Sequence, residues 1–201
     1  MKTLQSMVLA ATLTPLLCFA EASDFNYVQG GYVNSSVDAA GFENIDYDGF
    51  SVEGSLELTE ELFVYGDYAD ISGDDDSIAA DIDADAYSVG LGFIFGTNDT
   101  ATFYGTLAFA EASASYPGLP DVDETGYTFG FGARINTGDR SELEFGADYQ
   151  DVVDTDNKVT AYAQILYEMF DDVFGYVNIS GNADGEAIGV GLRYAFRAAE
   201  R

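Results

Sequence analysis

The sequence predicts an all-β protein: an antiparallel up-and-down transmembrane β-barrel of about ten strands, with eight as the alternative. Three observations point there. From residue 23 onward large apolar side chains recur with period two, whereas the i, i+3, i+4 spacing of an amphipathic helix is hard to find. The opposite phase is rich in Gly, Ala, Ser and Thr, as the inside of a narrow barrel requires. Short turns alternate with longer loops, so the two kinds of connection fall on opposite ends of the strands.

The chain opens on a targeting segment. Lys2 precedes an apolar run from Met7 to Ala20, and Ala20-Glu21-Ala22 has the small-x-small form of a signal-peptidase site, so residues 1–22 read as a cleaved signal peptide and 23–201 as the barrel. The run is too short for a helix that crosses a bilayer, which needs roughly 20 apolar residues. Cys18, the single cysteine, lies within it behind Leu17, where a lipidation site wants a small residue. The chain from Ser23 therefore has no disulfides.

The strands follow in order. Residues 25–37 open the barrel, and in 47–59 Phe50, Val52, Leu56 and Leu58 alternate with Ser51, Glu53, Ser55 and Glu57. Residues 62–71 are third. In 83–95 Tyr87, Val89, Leu91, Phe93 and Phe95 face away from Ser88, Gly90 and Gly92, and in 100–115 Phe103, Leu107 and Phe109 face away from Thr102, Tyr104 and Thr106. Residues 125–135 set Tyr127, Phe129 and Phe131 against Thr128, Gly130, Gly132 and Arg134. Residues 141–151 set Leu143, Phe145 and Tyr149 against Glu142, Glu144 and Asp148, and 158–169 set Val159, Ile165 and Tyr167 against Thr160, Tyr162 and Gln164. After 173–181, the last strand, 186–196, is the plainest: Ile188, Val190, Leu192, Tyr194 and Phe196 alternate with Gly189, Gly191, Arg193 and Ala195.

Short turns near 59–61, 96–99, 136–140 and 170–172 interleave with loops at 38–46, 72–82, 116–124, 151–157 and 181–186. An even strand number with short turns on one rim and longer loops on the other places both termini in the periplasm. A soluble β-sandwich would also alternate, but its polar phase faces water and carries long charged side chains rather than small ones. Tyr65, Tyr68, Tyr87, Tyr104, Tyr149, Tyr167 and Tyr194, near strand ends, suit aromatic girdles at the membrane interfaces.

Charge excludes several functions. Asp plus Glu number 36 against 7 Lys plus Arg, a formal net charge of -29, so no cationic face is available for nucleic acid. The signal peptide does not explain the excess, because it removes one charge of each sign, Lys2 and Glu21. There is no His, which removes the usual general base and the commonest zinc ligand, and no enzymatic activity is expected.

The remaining charges suggest two constellations. Asp74, Asp75, Asp76, Asp81 and Asp83 form a candidate loop site for Ca2+ or Mg2+, although the positions an EF-hand would need as Gly and Glu are Ala86 and Gly92. No other cofactor is expected. The second is a charge network inside the barrel: Arg134, Lys158 and Arg193 on the inward phase with Glu53, Glu57, Asp67, Glu142, Glu144 and Asp148. A turn centred on Gly138 would set Arg134 opposite Glu142. Paired glycines such as Gly90 and Gly92, or Gly130 and Gly132, lie inside strands with no following helix and so do not make a phosphate loop.

The closing segment, with Tyr194-Ala195-Phe196, resembles the C-terminal strand signature of Gram-negative outer-membrane barrels, which implies recognition of Tyr194 and Phe196 by the barrel-assembly machinery. The runs Phe25 to Val33, Gly49 to Gly54 and Val64 to Tyr68 resemble a family of small outer-membrane proteins, related to OmpA-like and OmpX-like barrels and sometimes described as sulfation-dependent quorum factors. That resemblance implies the cell outer membrane, with its lipid and lipopolysaccharide as surroundings, and no catalytic residues. Two functions follow as expectations: a structural or surface-interaction barrel with acidic outer loops and a narrow filled lumen, or a narrow cation-favouring channel. Secretion as a soluble signalling protein is suggested by the family resemblance alone.

Overall fold

Alternation closes the sheet on itself. A computed structural model describes residues 25–37, 45–75, 80–98, 100–115, 121–152 and 157–196. Ten antiparallel strands run through them: β1 (Tyr27–Val37), β2 (Ile45–Thr59), β3 (Leu62–Asp75), β4 (Ala80–Thr97), β5 (Ala101–Ser115), β6 (Val122–Gly138), β7 (Ser141–Val152), β8 (Lys158–Phe170), β9 (Val173–Asn182) and β10 (Gly185–Ala195). Each pairs with its sequence neighbours, and β1 pairs with β10 from Tyr27↔Ala195 to Val37↔Gly185, so no edge is left open. The expected signal peptide, with Ala20 and Ala22, lies outside the described residues.

The turns at 60–61, 139–140 and 171–172 sit at one rim, together with residues 25 and 196. At that rim the segments before β1 and after β10 meet: the Phe196 N–H donates to the Asn26 carbonyl at 2.9 Å. Asp172 lies in the 171–172 turn with a φ of 65°, a left-handed conformation that Asp tolerates better than most residues.

The distribution of apolar side chains is inverted relative to a water-soluble protein. Outward positions hold Val28, Val52, Leu91, Phe93, Leu107, Phe129, Ile165, Ile188, Val190 and Leu192, all exposed, while Arg134 and Arg193 are fully buried inside. Large apolar side chains on the outside of a closed barrel, around buried charge, are the pattern of a wall that faces lipid.

β2 to β6 overshoot the membrane. They run 15, 14, 18, 15 and 17 residues, where roughly 9–11 tilted residues suffice to cross. Since short turns tie the strands together at one rim, the excess projects from the other. There the apolar residues change sides: Ile45, Tyr47, Ile71, Ile82, Ala84, Ala112 and Ala114 cluster on the inside, while Asp46, Asp48, Asp70, Asp83 and Asp123 point out and are exposed. Residues 72–75 and 80–82 of the loop expected at 72–82, and 122–124 of the one expected at 116–124, are thus strand. Their outer face is wet, so the apolar phase that marks a lipid-facing strand is missing from it.

The interior is bulkier than the small-residue phase suggested. Phe25, Tyr27, Phe63, Tyr65, Tyr104 and Tyr162 fill it near the turn rim. Glycines on facing strands give these rings their room: a Cβ at Gly92 would collide with the Phe63 ring, one at Gly132 with the Tyr104 and Tyr162 hydroxyls, and one at Gly146 with the Tyr162 hydroxyl. At these three inward positions glycine marks where a neighbour's aromatic side chain lies.

Candidate functional site

Two regions carry concentrated polar chemistry, the lumen and the outer face of the overhang. Near the turn rim aromatic and charged side chains pack together inside the barrel. Phe25 stacks on Phe63 with ring centroids 4.0 Å apart and meets Tyr104 edge-on at 5.5 Å. The Arg134 guanidinium lies over the Phe25 ring, 3.7 Å from its centroid, and its Nε is 3.9 Å from Glu144 Oε2 with both side chains fully buried. Tyr104 donates to Glu144 and lies 3.1 Å from the Tyr162 hydroxyl. Glu57 and Asn26 fix the segment before β1: the Phe25 N–H donates to Glu57 at 3.4 Å, and the Glu57 N–H donates to the Asn26 side chain at 3.0 Å.

A second chain of contacts joins the first strand to the last. Arg193 Nε donates to Gln29 at 2.8 Å, Gln29 donates in turn to Glu53 at 2.9 Å, and Tyr27 donates to the other Glu53 oxygen. Arg193 also lies over the Tyr27 ring at 4.1 Å. Pairs of this kind, charge-assisted and inside a low-dielectric wall, lock β1 and β10 together at the closure of the barrel.

Higher in the lumen, Asp67 accepts from Ser88 Oγ at 2.5 Å. Asp148, 1% exposed, accepts no hydrogen bond at either oxygen. At the loop rim Lys158 Nζ meets Asp184 at 2.7 Å.

The outer face of the overhang is built differently. Phe50, Tyr68, Tyr87, Phe109, Tyr127 and Tyr149 are outward and exposed, and Phe50–Tyr68 and Phe109–Tyr127 pack at 6.2 and 6.0 Å. Directly beyond them come Asp46, Asp48, Asp70, Asp83, Asp85, Glu111, Asp123 and Asp151. Hydroxyls hold some of these acids in place, Tyr87 donating to Glu111 at 2.8 Å and Ser113 to Asp85 at 2.6 Å. No Lys or Arg lies in this belt.

All members of the expected charge network face inward, Asp67 included, but several details change. Arg134 lies opposite Glu144 in the β6–β7 register, and Glu142 opposite Asn136. The turn is Asp139–Arg140 with a bulge between Asn136 and Gly138, one residue later than a turn centred on Gly138, which slides the pairing by two. Tyr65 and Tyr104, expected in the girdle, are buried in the lumen; Tyr68, Tyr87, Tyr149, Tyr167 and Tyr194 are outward. Asp74, Asp75, Asp81 and Asp83 belong to β3 and β4 rather than to a loop, and Asp76 lies outside the described residues. Among the described residues no group of three or more acidic, His or Cys side chains could hold a metal ion.

Sequence reasoning missed Phe25, Gln29, Tyr27, Tyr104 and Tyr162 as parts of the lumenal network. Their signal was present for the tyrosines: they share the inward phase with Glu53, Glu144 and Thr160.

Solved structures share this architecture at low identity. The translocator domain of the autotransporter NalP from Neisseria meningitidis matches with a TM-score of 0.54 and 11% identity, over 94% of this chain and 94% of that one. The transport unit of the autotransporter AIDA-I from Escherichia coli matches with a TM-score of 0.50 and 14% identity, over 94% and 96%. Ail, the attachment invasion locus protein of Yersinia pestis, reaches 20% identity with a TM-score of 0.44, over 85% and 99%. No curated protein matches the sequence. At these identities the likeness to the two autotransporter domains speaks for the fold alone. The family described as outer membrane protein beta-barrel domain matches residues 6–196, nearly the whole chain. With its lipid-facing wall and closed ten-strand topology, the chain belongs to the outer membrane protein beta-barrel domain family and is a protein of the cell outer membrane.

Proposed function

We propose that this barrel serves as a structural and surface-interaction element of the outer membrane, not as an open pore, and that its working surface is the acidic outer face of the β2–β6 overhang. The observation that carries this is the lumenal cluster near the turn rim, in which Phe25 stacks on Phe63, meets Tyr104 edge-on and lies under the Arg134 guanidinium; this reading takes the cluster as a block across the bore. Eight-strand barrels have an interior that side chains just fill, and ten strands add little. The turn rim with both chain ends faces the periplasm, and the overhang faces out. Tyr194 and Phe196 serve the assembly machinery.

The belt of Asp46, Asp48, Asp70, Asp83, Asp85, Glu111, Asp123 and Asp151 stands just beyond the aromatic row, at the height of the anionic head groups of lipopolysaccharide. Two anionic surfaces repel over a Debye length of ~8 Å at physiological ionic strength. The belt therefore works with Ca2+ or Mg2+ shared with the lipid, or turns to a cationic ligand. Enzymatic work is not part of this reading, since the chain has no His and Glu53 and Glu144 serve to hold the lumenal tyrosines.

The alternative, a narrow cation-favouring channel, is favoured by the excess of inward acids: Glu53, Asp67, Glu142, Glu144 and Asp148 against Arg134 and Arg193 in the depth of the lumen. Planar-bilayer recording of the purified protein separates the two. Silence supports the structural reading, and discrete cation-selective steps overturn it.

A further inference from the structure

On the side away from the overhang the outer wall carries a groove. β9 and β10 run 10 and 11 residues, about what a tilted strand needs to cross, so their loop-rim ends stand at head-group height instead of beyond it. A depression of about 640 Å3 spans the outer face of β8, β9, β10 and β1 there, within the roughly 300–1,000 Å3 of small-molecule sites. Register explains its shape. Ala161 lies opposite Gly181, and Ala163 opposite Ile179, which in turn pairs with Ile188. Ala161, Ala163 and Gly181 leave a low floor beside Ile179 and Ile188, which are 56% and 50% exposed.

The two ends of the groove differ. The rows that form it continue on β7 as Ala147 and Phe145, in the apolar wall, and on β2 as Asp46 and Asp48, in the acidic belt. Asn34, Ser36 and Glu186 line the end toward β2, and among the described residues that line the groove there is no Lys or Arg. Asn34 leans toward β2 through its bond to the Tyr47 carbonyl at 3.3 Å. Lys158, at the rim, is held by Asp184 at 2.7 Å. An apolar trough left empty forfeits dispersion contacts, and in a wall surrounded by lipid the group at hand to fill it is an acyl chain. Carboxylates at the polar end select the head group, because they repel phosphate and attract an ammonium.

We infer that the groove holds one lipid with an ammonium head group, of the phosphatidylethanolamine type. Its acyl chain lies over Ala161, Ala163 and Gly181, and its ammonium sits beside Glu186 with Asp46 and Asp48 adding to the attracting field. The site belongs to the outer wall, so it stands whether or not the barrel conducts.

The test is native mass spectrometry of the detergent-solubilised barrel after incubation with equimolar phosphatidylethanolamine and phosphatidylglycerol of the same acyl chains. Wild type retains the first over the second by about two- to fivefold, the range of an exposed ion pair. Glu186→Gln lowers that ratio toward one, whereas Asp123→Asn, on β6 across the barrel, keeps it. Ala163→Phe, an apolar change on the lipid face checked for folding by heat-modifiable migration, fills the floor and lowers retention of both lipids. Equal retention by wild type, a ratio undiminished in Glu186→Gln, or retention undiminished in Ala163→Phe overturns the inference. Preferential capture of lipopolysaccharide in a third incubation also overturns it, by placing an anionic head at the acidic end. A wild-type dimer that Ala163→Phe abolishes does the same, by making a second copy the occupant.

Discussion

Replacing Arg134 by Met tests whether the lumen is held by its buried ion pair or merely filled. Arg134 and Glu144 are both fully buried with Nε and Oε2 3.9 Å apart. At an effective dielectric constant of about 20, unit charges at that distance attract by about 4 kcal/mol. Removing one partner of a buried pair also leaves the other charge enclosed, and such losses are typically about 3–5 kcal/mol. Arg134→Met keeps most of the volume over Phe25 and loses the charge, so the expected destabilisation is about 3–5 kcal/mol. Glu144→Gln should cost a comparable amount, because it strands the guanidinium while leaving an oxygen for Tyr104. The double variant strands neither, and its loss should fall well short of the sum, with a coupling of about 1–3 kcal/mol. The assay is equilibrium urea unfolding in lipid vesicles, followed by tyrosine fluorescence because the chain has no Trp, with heat-modifiable gel migration as the check on folding. A loss below about 1 kcal/mol for Arg134→Met, or strictly additive losses, would refute a network that depends on this pair.

Other perturbations probe the remaining parts. Gly132→Val pushes a side chain into the space of the Tyr104 and Tyr162 hydroxyls and should cost about 1–3 kcal/mol by overpacking; a neutral outcome in the same unfolding assay would mean the rings are not fixed. Phe25→Ala removes the stacked ring between Phe63 and Arg134 and should cost about 3–5 kcal/mol while raising bilayer conductance from silence; an unchanged silent barrel would show that Phe25 is not the block. Leu107→Arg places a charge on the lipid face and should cost about 2–4 kcal/mol, whereas Ser113→Arg, on the overhang, should be nearly neutral. Equal costs would deny that the overhang leaves the membrane. Chelation with EDTA should lower the melting temperature of the protein in lipopolysaccharide-containing bilayers, and an identical melting curve would dismiss divalent bridging of the acidic belt.

Much of the fold is legible in the sequence because a barrel wall makes one demand at each residue, inside or outside. Where the outside is lipid, as along Tyr87 to Phe95 or Ile188 to Tyr194, the apolar phase declares the strand. Where the same strand leaves the membrane the outward residue turns polar, as at Asp83 and Asp85, and the pattern looks like an acidic loop although the ladder continues to Ala80. Register is harder still. The Arg134–Glu144 pairing hinges on a bulge beside Thr137 that adds one residue to a turn, and nothing in Asn136-Thr137-Gly138 announces on which side the extra residue falls. The lumenal tyrosines escaped because tyrosine serves two opposite environments, membrane interface and packed interior, and only strand phase together with depth separates Tyr65 from Tyr68.

The central claim is that the outward face divides into a lipid-facing band and an acidic band beyond the membrane, with the turn rim in the periplasm. The chain has one cysteine, Cys18, within the segment expected to be removed, so single cysteines can be placed at will. Labelling intact cells with a membrane-impermeant maleimide tests the claim most directly. The account predicts reaction at Asp48→Cys, Asp83→Cys and Glu111→Cys, none at Leu107→Cys or Val190→Cys, and reaction at Thr59→Cys only after the outer membrane is breached. Labelling of Thr59→Cys in intact cells, with Asp83→Cys protected, would contradict it.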